Sequence, residues 1–297
     1  MGLAVAICGN VNIDINAFLN TPEREEDNRI KKLSIGVGGT AANTAVHLAR
    51  IREKVVLYCS FGRDVFAEFL KGKLAEEGVK VVYNSVTELS TGLCFSRVDK
   101  IGERKLFTYR GANELIDAQL VNNYADIVYF AGIEPEQLQR FFEGSLRKRV
   151  VAYSPGGIVS FERPESVIEV SKEIDHLIVN EKEYEFLSSR GNIRSATIVI
   201  TLGDRGARIA GADVQERAYP ANVVDTTGAG DCFSAGYLFG LARGFSAKCR
   251  LKLGNLLGAL SVSVEGAQGV FTIEKLRNFV RTEEPELFEM IDRTIYQ

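Results

Sequence analysis

Asn222-Val-Val-Asp-Thr-Thr-Gly-Ala-Gly-Asp-Cys-Phe-Ser-Ala-Gly-Tyr237 is the stretch that decides how this chain reads. Val223 and Val224 read as the end of a strand, and Asp225, Thr226 and Thr227 as a polar turn. Gly228, Ala229 and Gly230 then open a helix in which Phe233, Tyr237, Leu238 and Leu241 recur at the spacing of one buried face. N–H groups in a first helical turn lack intrahelical partners, and the helix dipole makes that end partly positive. Glycines let a phosphate come close to the backbone there. Asp231 would stand beside any anion so held, placed to take the proton of an attacking hydroxyl while the N–H groups of Gly228, Ala229 and Gly230 stabilise the transferred phosphoryl group. The bland alternative is an acid that merely favours a helix N-terminus. No Gly-Lys-Ser/Thr follows the glycines, so the loop is not a Walker A motif, and residues 228–233 lack the third glycine of a dinucleotide fingerprint.

The string from Asp225 to Asp231 resembles the C-terminal signature of the ribokinase-like carbohydrate kinases, the phosphofructokinase B type. Some 190 residues earlier (~190 by sequence count, against motif spacing), Ser34-Ile-Gly-Val-Gly-Gly-Thr-Ala-Ala-Asn43 precedes a helical pattern from Ala41 to Arg50 with Thr40 as its expected N-cap. It resembles the Gly-Gly-x-x-x-Asn signature at the other end of the same family. The resemblance implies an α/β fold, a three-layer α/β/α ribokinase-like core with a mostly parallel sheet and a small inserted β-sheet lid. It implies an ATP-dependent kinase acting on a hydroxyl of a sugar or sugar-like molecule, with Mg²⁺ and, in many relatives, K⁺ or another monovalent cation, here near Asp225.

Composition fits that picture. The chain has 297 residues, 45% hydrophobic and 25% charged, with a formal net charge of −3, an ordinary globular balance. No basic excess points to nucleic acid or an anionic membrane. Five cysteines without a CxxC pair, and only two histidines, His47 and His176, argue against a disulfide framework, a zinc site or a histidine triad. With no signal peptide or 18-residue apolar run in the sequence, a cytoplasmic location is expected.

Taken in order, Leu3–Cys8 reads as a strand buried on both faces. Asn12 and Asp14 follow it, alternating with apolar residues, at a strand end where α/β sheets bind ligands. Spacing alone leaves them as acceptor contacts or as a turn; the resemblance makes them acceptor contacts. It adds Gly38 and Gly39, over which the sugar would approach the backbone, with Asn43 and, at a Gly-Ala-Asn hinge, Asn113. An N-cap role for Asn113 is the alternative, and Arg110 reads as solvated. Segments 16–34 and 79–111 are expected to form the lid, with a hairpin around Lys100–Glu103, and segments 1–15, 35–78 and 112–297 the core. An exposed lid sheet should cover a ligand, pair with a second subunit as a homodimer, or both. Phe95, Phe107 and Tyr109 could stack a nucleoside base, or be lid core or dimer interface.

Strand patterns at 127–130, 150–153 and 177–180 separated by helical segments give a βαβ rhythm and a parallel sheet. Asn180-Glu-Lys-Glu183 resembles the family's Asn-x-x-Glu motif, which implies Mg²⁺ held by Glu183 through water. An ordinary surface acid is the alternative. Thr201, Gly203 and Gly206 resemble the nucleotide-side turn. Asn255, in an apolar helix, and Thr226 complete the nucleotide candidates, and Gly266–Gly269 is expected to close that side. Ser154-Pro-Gly-Gly157 departs from the Asp-x-Asn string of many sugar kinases, which leaves the acceptor open: a sugar, a sugar phosphate, inositol or, as the runner-up, a nucleoside. A non-catalytic sugar or nucleotide sensor on the same fold is the reading from another class.

Overall fold

A computed structural model describes residues 5–19, 28–51, 53–99, 104–121, 125–144, 149–264, 266–268 and 273–295. The expected turn at 100–103, residue 269 and part of the first lid segment lie outside the described residues.

The apolar runs form the centre of a nine-stranded sheet among those residues. Its strands are β1 (Val5–Gly9), β4 (Val55–Gly62), β5 (Lys80–Val86), β8 (Ile127–Ala131), β9 (Val150–Ser154), β10 (His176–Asn180), β11 (Thr197–Thr201), β12 (Ala207–Ile209) and β13 (Gln215–Glu216). They lie in the order β13-β12-β11-β10-β9-β8-β1-β4-β5. Every pairing from β11 through to β5 is parallel, and β12 and β13 add an antiparallel edge. Successive side chains on a strand point to opposite faces. Val5 and Ile7 of β1 therefore pack into one core and Ala6 and Cys8 into the other.

The first core is covered by α1 (Thr40–Arg50), α2 (Val65–Glu76), α7 (Ala229–Ala242), α8 (Ala247–Ser261), α9 (Ile273–Glu283) and α10 (Pro285–Ile295). The second is covered by α3 (Pro135–Gly144), α5 (Pro164–Val170) and α6 (Glu181–Arg190), with α4 (Gly156–Glu162) beside them. Two helical layers on a parallel sheet are the outcome the βαβ rhythm dictates. No helix among the described residues is long and apolar enough to cross a membrane.

A separate four-stranded sheet has the order β3-β2-β6-β7, from β2 (Asn12–Leu19), β3 (Ile30–Gly38), β6 (Gly92–Val98) and β7 (Arg104–Tyr109). Its boundaries differ from the expected ones. Residues 80–86 pair in parallel with β4 at the edge of the large sheet, so they belong to the core and not the lid. Conversely, 12–15 and 35–38 are lid strand. A run of alternating character reads the same whichever sheet it joins, and only the pairing partner separates the two.

Register gives this lid two faces. Asn12 lies level with Gly38 and Gly92, Asp14 with Gly36 and Cys94, and Asn16 with Ser34 and Ser96. The opposite face carries Ile15, Ile35, Phe95 and Phe107 level with one another, beside Ile13, Val37, Leu93 and Tyr109. Phe95, Phe107 and Tyr109 therefore point away from Asp14 and are not placed to stack a base in the cleft.

Two local expectations are corrected. Val223 and Val224 are in no strand and are 62% and 58% exposed. Helix α7 is buried almost all round, since α1, α8 and the sheet enclose it, so its 3.6-residue pattern does not mark a single buried face.

Candidate active site

Three helix or strand ends meet at the carboxyl edge of the large sheet. Asp231 sits in the first turn of α7 and accepts a hydrogen bond from Asn43 Nδ2 of α1 at 2.8 Å. Thr44, next on α1, donates to the Asp231 carbonyl at 3.3 Å. Two signatures some 190 residues apart are thus in direct contact (~190, by sequence count).

Burial pushes the Asp231 carboxyl up to about 7; the Asn43 hydrogen bond opposes this and the charge of Asp14 adds to it. Burial likewise raises Asp14 to about 7, against the pull of the Arg104 guanidinium. Asp14 Oδ1 is buried with no hydrogen-bond partner. A buried carboxylate oxygen left unpaired is costly unless a ligand hydroxyl meets it.

The Asp14 carboxyl occupies the space a side chain at position 38 would need, so a larger residue there would displace that carboxyl. Gly39 has φ +93° and is the N-cap of α1, with no side-chain cap; Thr40 is the first helical residue and not the N-cap. Asn12 is buried and its Oδ1 accepts from Asn113 Nδ2 at 2.8 Å. Asn113 is no helix cap: its amide clasps the backbone of Val11 through both ends, at 3.0 and 3.2 Å. It fixes the strand that carries Asn12 and Asp14. Arg110 is not solvated. It pairs with Glu134 at 3.2 Å and donates to the Gly132 carbonyl at 3.1 Å.

The start of α7 is closely packed on one side and open on the other. Gly228 has φ +74°, and an added Cβ would collide with the Ala267 carbonyl. Around Gly230 there is open space. Ala229 N–H turns back to the Thr226 carbonyl at 3.3 Å. Asp225 ties the approach loop: one oxygen accepts from Thr227 N and Oγ1 at 2.9 and 2.6 Å, the other from Gly266 N at 3.0 Å. Burial would raise its carboxyl, but these bonds and the Arg104 charge outweigh that and hold it below the usual range. Thr226 is exposed at the rim.

On the nucleotide side, Asn180 and Thr201 lie level at the ends of β10 and β11. Asn180 and Glu183 form a capping box, each side chain accepting the other's backbone N–H at 2.9 and 3.0 Å. Glu183 is buried, not a surface acid, and burial raises its carboxyl despite those bonds. Its Oε2 is engaged, which leaves Oε1, and no cluster of three His, Cys, Asp or Glu side chains exists among the described residues. That donor set suits Mg²⁺ held mainly by phosphates and water. Gly203 and Gly206, at φ +64° and +93°, turn the chain after β11. Asn255 is buried and donates to the carbonyls of Glu216 and Arg217 at 3.0 and 3.1 Å, so its NH₂ group is engaged with the backbone and only Oδ1 remains for a base.

Between lid and core lies a cleft of about 630 Å³ lined by Asp14, Asn16, Phe18, Arg104, Thr227 and Gln268, among others. Sequence reasoning missed Arg104 and Gln268. Arg104 donates to Ser96 Oγ at 2.7 Å, Asn16 Oδ1 at 2.9 Å and Thr227 Oγ1. An arginine in an alternating lid strand carries no signal of what it faces. Gln268 sits in the Gly-Ala-Gln-Gly string, which the sequence suggested only as closure of the nucleotide side.

The comparisons with known proteins agree with this fold. Residues 3–274 match the model of the pfkB family carbohydrate kinases. The chain is 27% identical over 255 residues to a ribokinase of Haemophilus influenzae, covering 79% of this chain and 83% of that protein. It is 24% identical over 308 residues to a deoxyribokinase of Salmonella typhi, covering 94% and 99%. A nucleoside kinase of Methanocaldococcus jannaschii superposes with a TM-score of 0.83 at 22% identity, over 95% of this chain and 99% of that one, a likeness of fold.

Proposed function

From the premise that the chain belongs to the pfkB family of carbohydrate kinases, and so is a phosphotransferase with an alcohol group as acceptor, we propose that it transfers the γ-phosphate of ATP to a hydroxyl of a sugar or sugar-bearing small molecule, with Asp231 as general base. The observation that carries this reading is the Asp231 carboxylate in the first turn of α7, held by Asn43 and near enough to Asp14 for its charge to be felt.

Asn12, Asp14 and the backbone at Gly38 and Gly39 orient the acceptor, with Asn43 beside the reacting hydroxyl and Asn113 acting through Val11 and Asn12. The hydroxyl proton passes to an Asp231 oxygen as the acceptor oxygen attacks the γ-phosphorus. The bond from that phosphorus to the β–γ bridging oxygen breaks, and ADP leaves with its electron pair. N–H groups at Gly228, Ala229 and Gly230 meet the charge on the transferred group, and Arg104 brings a second positive charge from the lid. Ala229 must give up its turn bond to Thr226 to contribute. Thr201, Gly203, Gly206, Thr226 and Asn255 Oδ1 border the nucleotide, next to Asn180. Glu183, through water, and the phosphates would hold Mg²⁺, which neutralises phosphate charge when bound. A monovalent cation near Asp225 would reinforce the loop that shapes the anion hole.

The exposed apolar face of the lid supports pairing with a second copy. Leu33, Ile35, Phe107 and Tyr109 are 46–58% exposed there, a combination expected of an interface.

Names among the relatives support sugars first. A nucleoside acceptor is supported by the fold neighbour, with Phe18 on the cleft face as its stacking candidate. The test is phosphotransfer with Mg-ATP over pentoses, hexoses, sugar phosphates, inositol and nucleosides, run beside Asp231→Asn. Turnover on one class that falls by about 10²–10⁴-fold in the variant is expected. ATP binding without turnover on any acceptor would instead support a sensor, and turnover undiminished by Asp231→Asn would remove the base assignment.

A further inference from the structure

Gln268 takes no part in the chemistry above, yet it is tied to the carboxylate at its centre. Its Nε2 donates to Asn43 Oδ1 at 3.2 Å, and Asn43 Nδ2 donates to Asp231 Oδ2 at 2.8 Å. The chain of bonds joins a loop, α1 and α7.

The loop that carries Gln268 is clamped. Arg50 of α1 donates to the Gln268 carbonyl, and its guanidinium is held by both oxygens of Glu77, at 2.8 and 2.5 Å. The His47 ring bonds the Ala267 carbonyl at 3.3 Å, and burial lowers that imidazole to about 4, so it is neutral near pH 7. On the other side Gly228 packs so closely that no Cβ would fit. With its backbone fixed from both sides, the Gln268 side chain is aimed at Asn43.

An asparagine amide can present either its NH₂ or its oxygen, and only its partners decide which. A carboxylate selects the NH₂ end. Once that carboxylate has taken a proton it can donate instead, and the selection is lost. A donor fixed on Oδ1 keeps the amide in one orientation through both states.

We propose that Gln268 is a positioning residue for phosphoryl transfer: by holding Asn43 Oδ1 it keeps Asn43 Nδ2 on Asp231 before and after the proton moves. The proposal rests on Asp231 as base. It also gives the loop after α8 a part in proton transfer, where the sequence suggested only closure of the nucleotide side. The other ionisable groups near Asp231 include Asp14 from β2, Tyr129 from β8 and the buried Cys232 thiol of α7, with His47 and Arg50 further along α1; residues 266–268 carry none.

Two substitutions test it. Gln268→Met removes the donor at similar length. Gln268→Glu offers an acceptor that draws Nδ2 away from Asp231. Without the Gln268 donor the Asn43 amide can turn its oxygen toward protonated Asp231, which favours that form, so the acidic limb of kcat should move to higher pH in both, further in Gln268→Glu. In Gln268→Met, kcat should fall by about 3- to 10-fold, the scale of one hydrogen bond, with KM for ATP unchanged. In an Asn43→Leu background Gln268→Met should have no further effect, because its action passes through Asn43. Equal losses in both backgrounds, an unmoved limb and a lower unfolding temperature would make Gln268 a purely structural residue and overturn the proposal.

A readout free of turnover separates this from the base assignment. Aspartate carboxyl carbons, ¹³C-labelled, are titrated by NMR in the free protein, with the Asp231 signal identified by its loss in Asp231→Asn. Gln268→Met should raise that midpoint. If it does while Asp231→Asn remains active, the positioning stands and the base assignment fails. If Asp231→Asn is inactive and the midpoint does not move, the positioning alone fails.

Discussion

The guanidinium of Arg104, on lid strand β7, donates to Thr227 Oγ1 at the entrance to α7 and so spans the two walls of the cleft. The same side chain bonds Asn16 and Ser96 of the lid. A lid charge seated beside the start of α7 contributes most if negative charge is transferred past it. Arg104→Met should therefore lower kcat by about 10²-fold, the scale for removing one such donor. Arg104→Lys, which keeps the charge but not the fork, should recover part of that loss. Steady-state kinetics with both substrates varied checks it; an unchanged kcat would limit Arg104 to holding the lid.

Asp231 carries a pH signature with a definite sign. Its folded-state carboxyl stands at about 7, against about 3.9 in an unfolded chain. Between those values the folded protein binds the extra proton. This site's contribution to stability therefore declines as pH rises from about 4 to 7 and stays low above. Asp14, also at about 7, acts in the same window. Asp231→Asn should thus raise the unfolding temperature at pH 8 and gain progressively less toward pH 4, while abolishing most turnover. Wild-type kcat should fall as pH drops below about 7, as the base protonates. Calorimetry at several pH values checks the first, a pH–rate profile the second.

Gly38 and Gly36 make an internal control. A methyl group at 38 would lie within the Asp14 carboxyl, and one at 36 would meet nothing within 4 Å. Gly38→Ala should raise KM for the acceptor, by about tenfold for the loss of a charged hydrogen-bond partner's geometry, and leave KM for ATP near its wild-type value. Gly36→Ala should leave thermal unfolding unchanged. Equal effects of the two on unfolding would mean that Asp14 readily moves aside.

The apolar lid face predicts assembly. Phe107 is 58% exposed on its edge strand, level with Phe95 and Ile35. Phe107→Lys should shift the protein from dimer to monomer by sedimentation at micromolar concentration. A wild-type protein already monomeric there would refute the pairing.

The large sheet was legible because its strands are continuous apolar runs, and the start of α7 because glycine spacing and an acid mark one helix N-terminus. Residues 79–86 were misplaced because strand character does not name a partner, and only the parallel register with β4 assigns them to the core. Asn255 and Glu183 were legible as residues of interest, but their engagement with backbone groups was not, since it depends on Glu216, Arg217 and Asn180 lying within about 3 Å. Arg104 and Gln268 were missed for a related reason: a single polar residue in a strand or loop shows its purpose only when the fold brings its target near.

Strand β2 begins just two residues after β1 ends, and both intervening residues are bolted down. Asn10 is held by Ala131, Ala41 and Ala42, and Val11 by Asn113. The lid is therefore a cantilever and not a hinged flap. Its root carries Asn12 and Asp14, while Arg104 lies near the far end, level with Val98 and Phe18, about 20 Å along the strand, where it meets Thr227. A beam clamped at one end moves little at the clamp and most at the tip. The bond from Arg104 to Thr227 at that tip is therefore the contact that has to open for the cleft to widen. Amide exchange along β2 should slow from Leu19 toward Asn12.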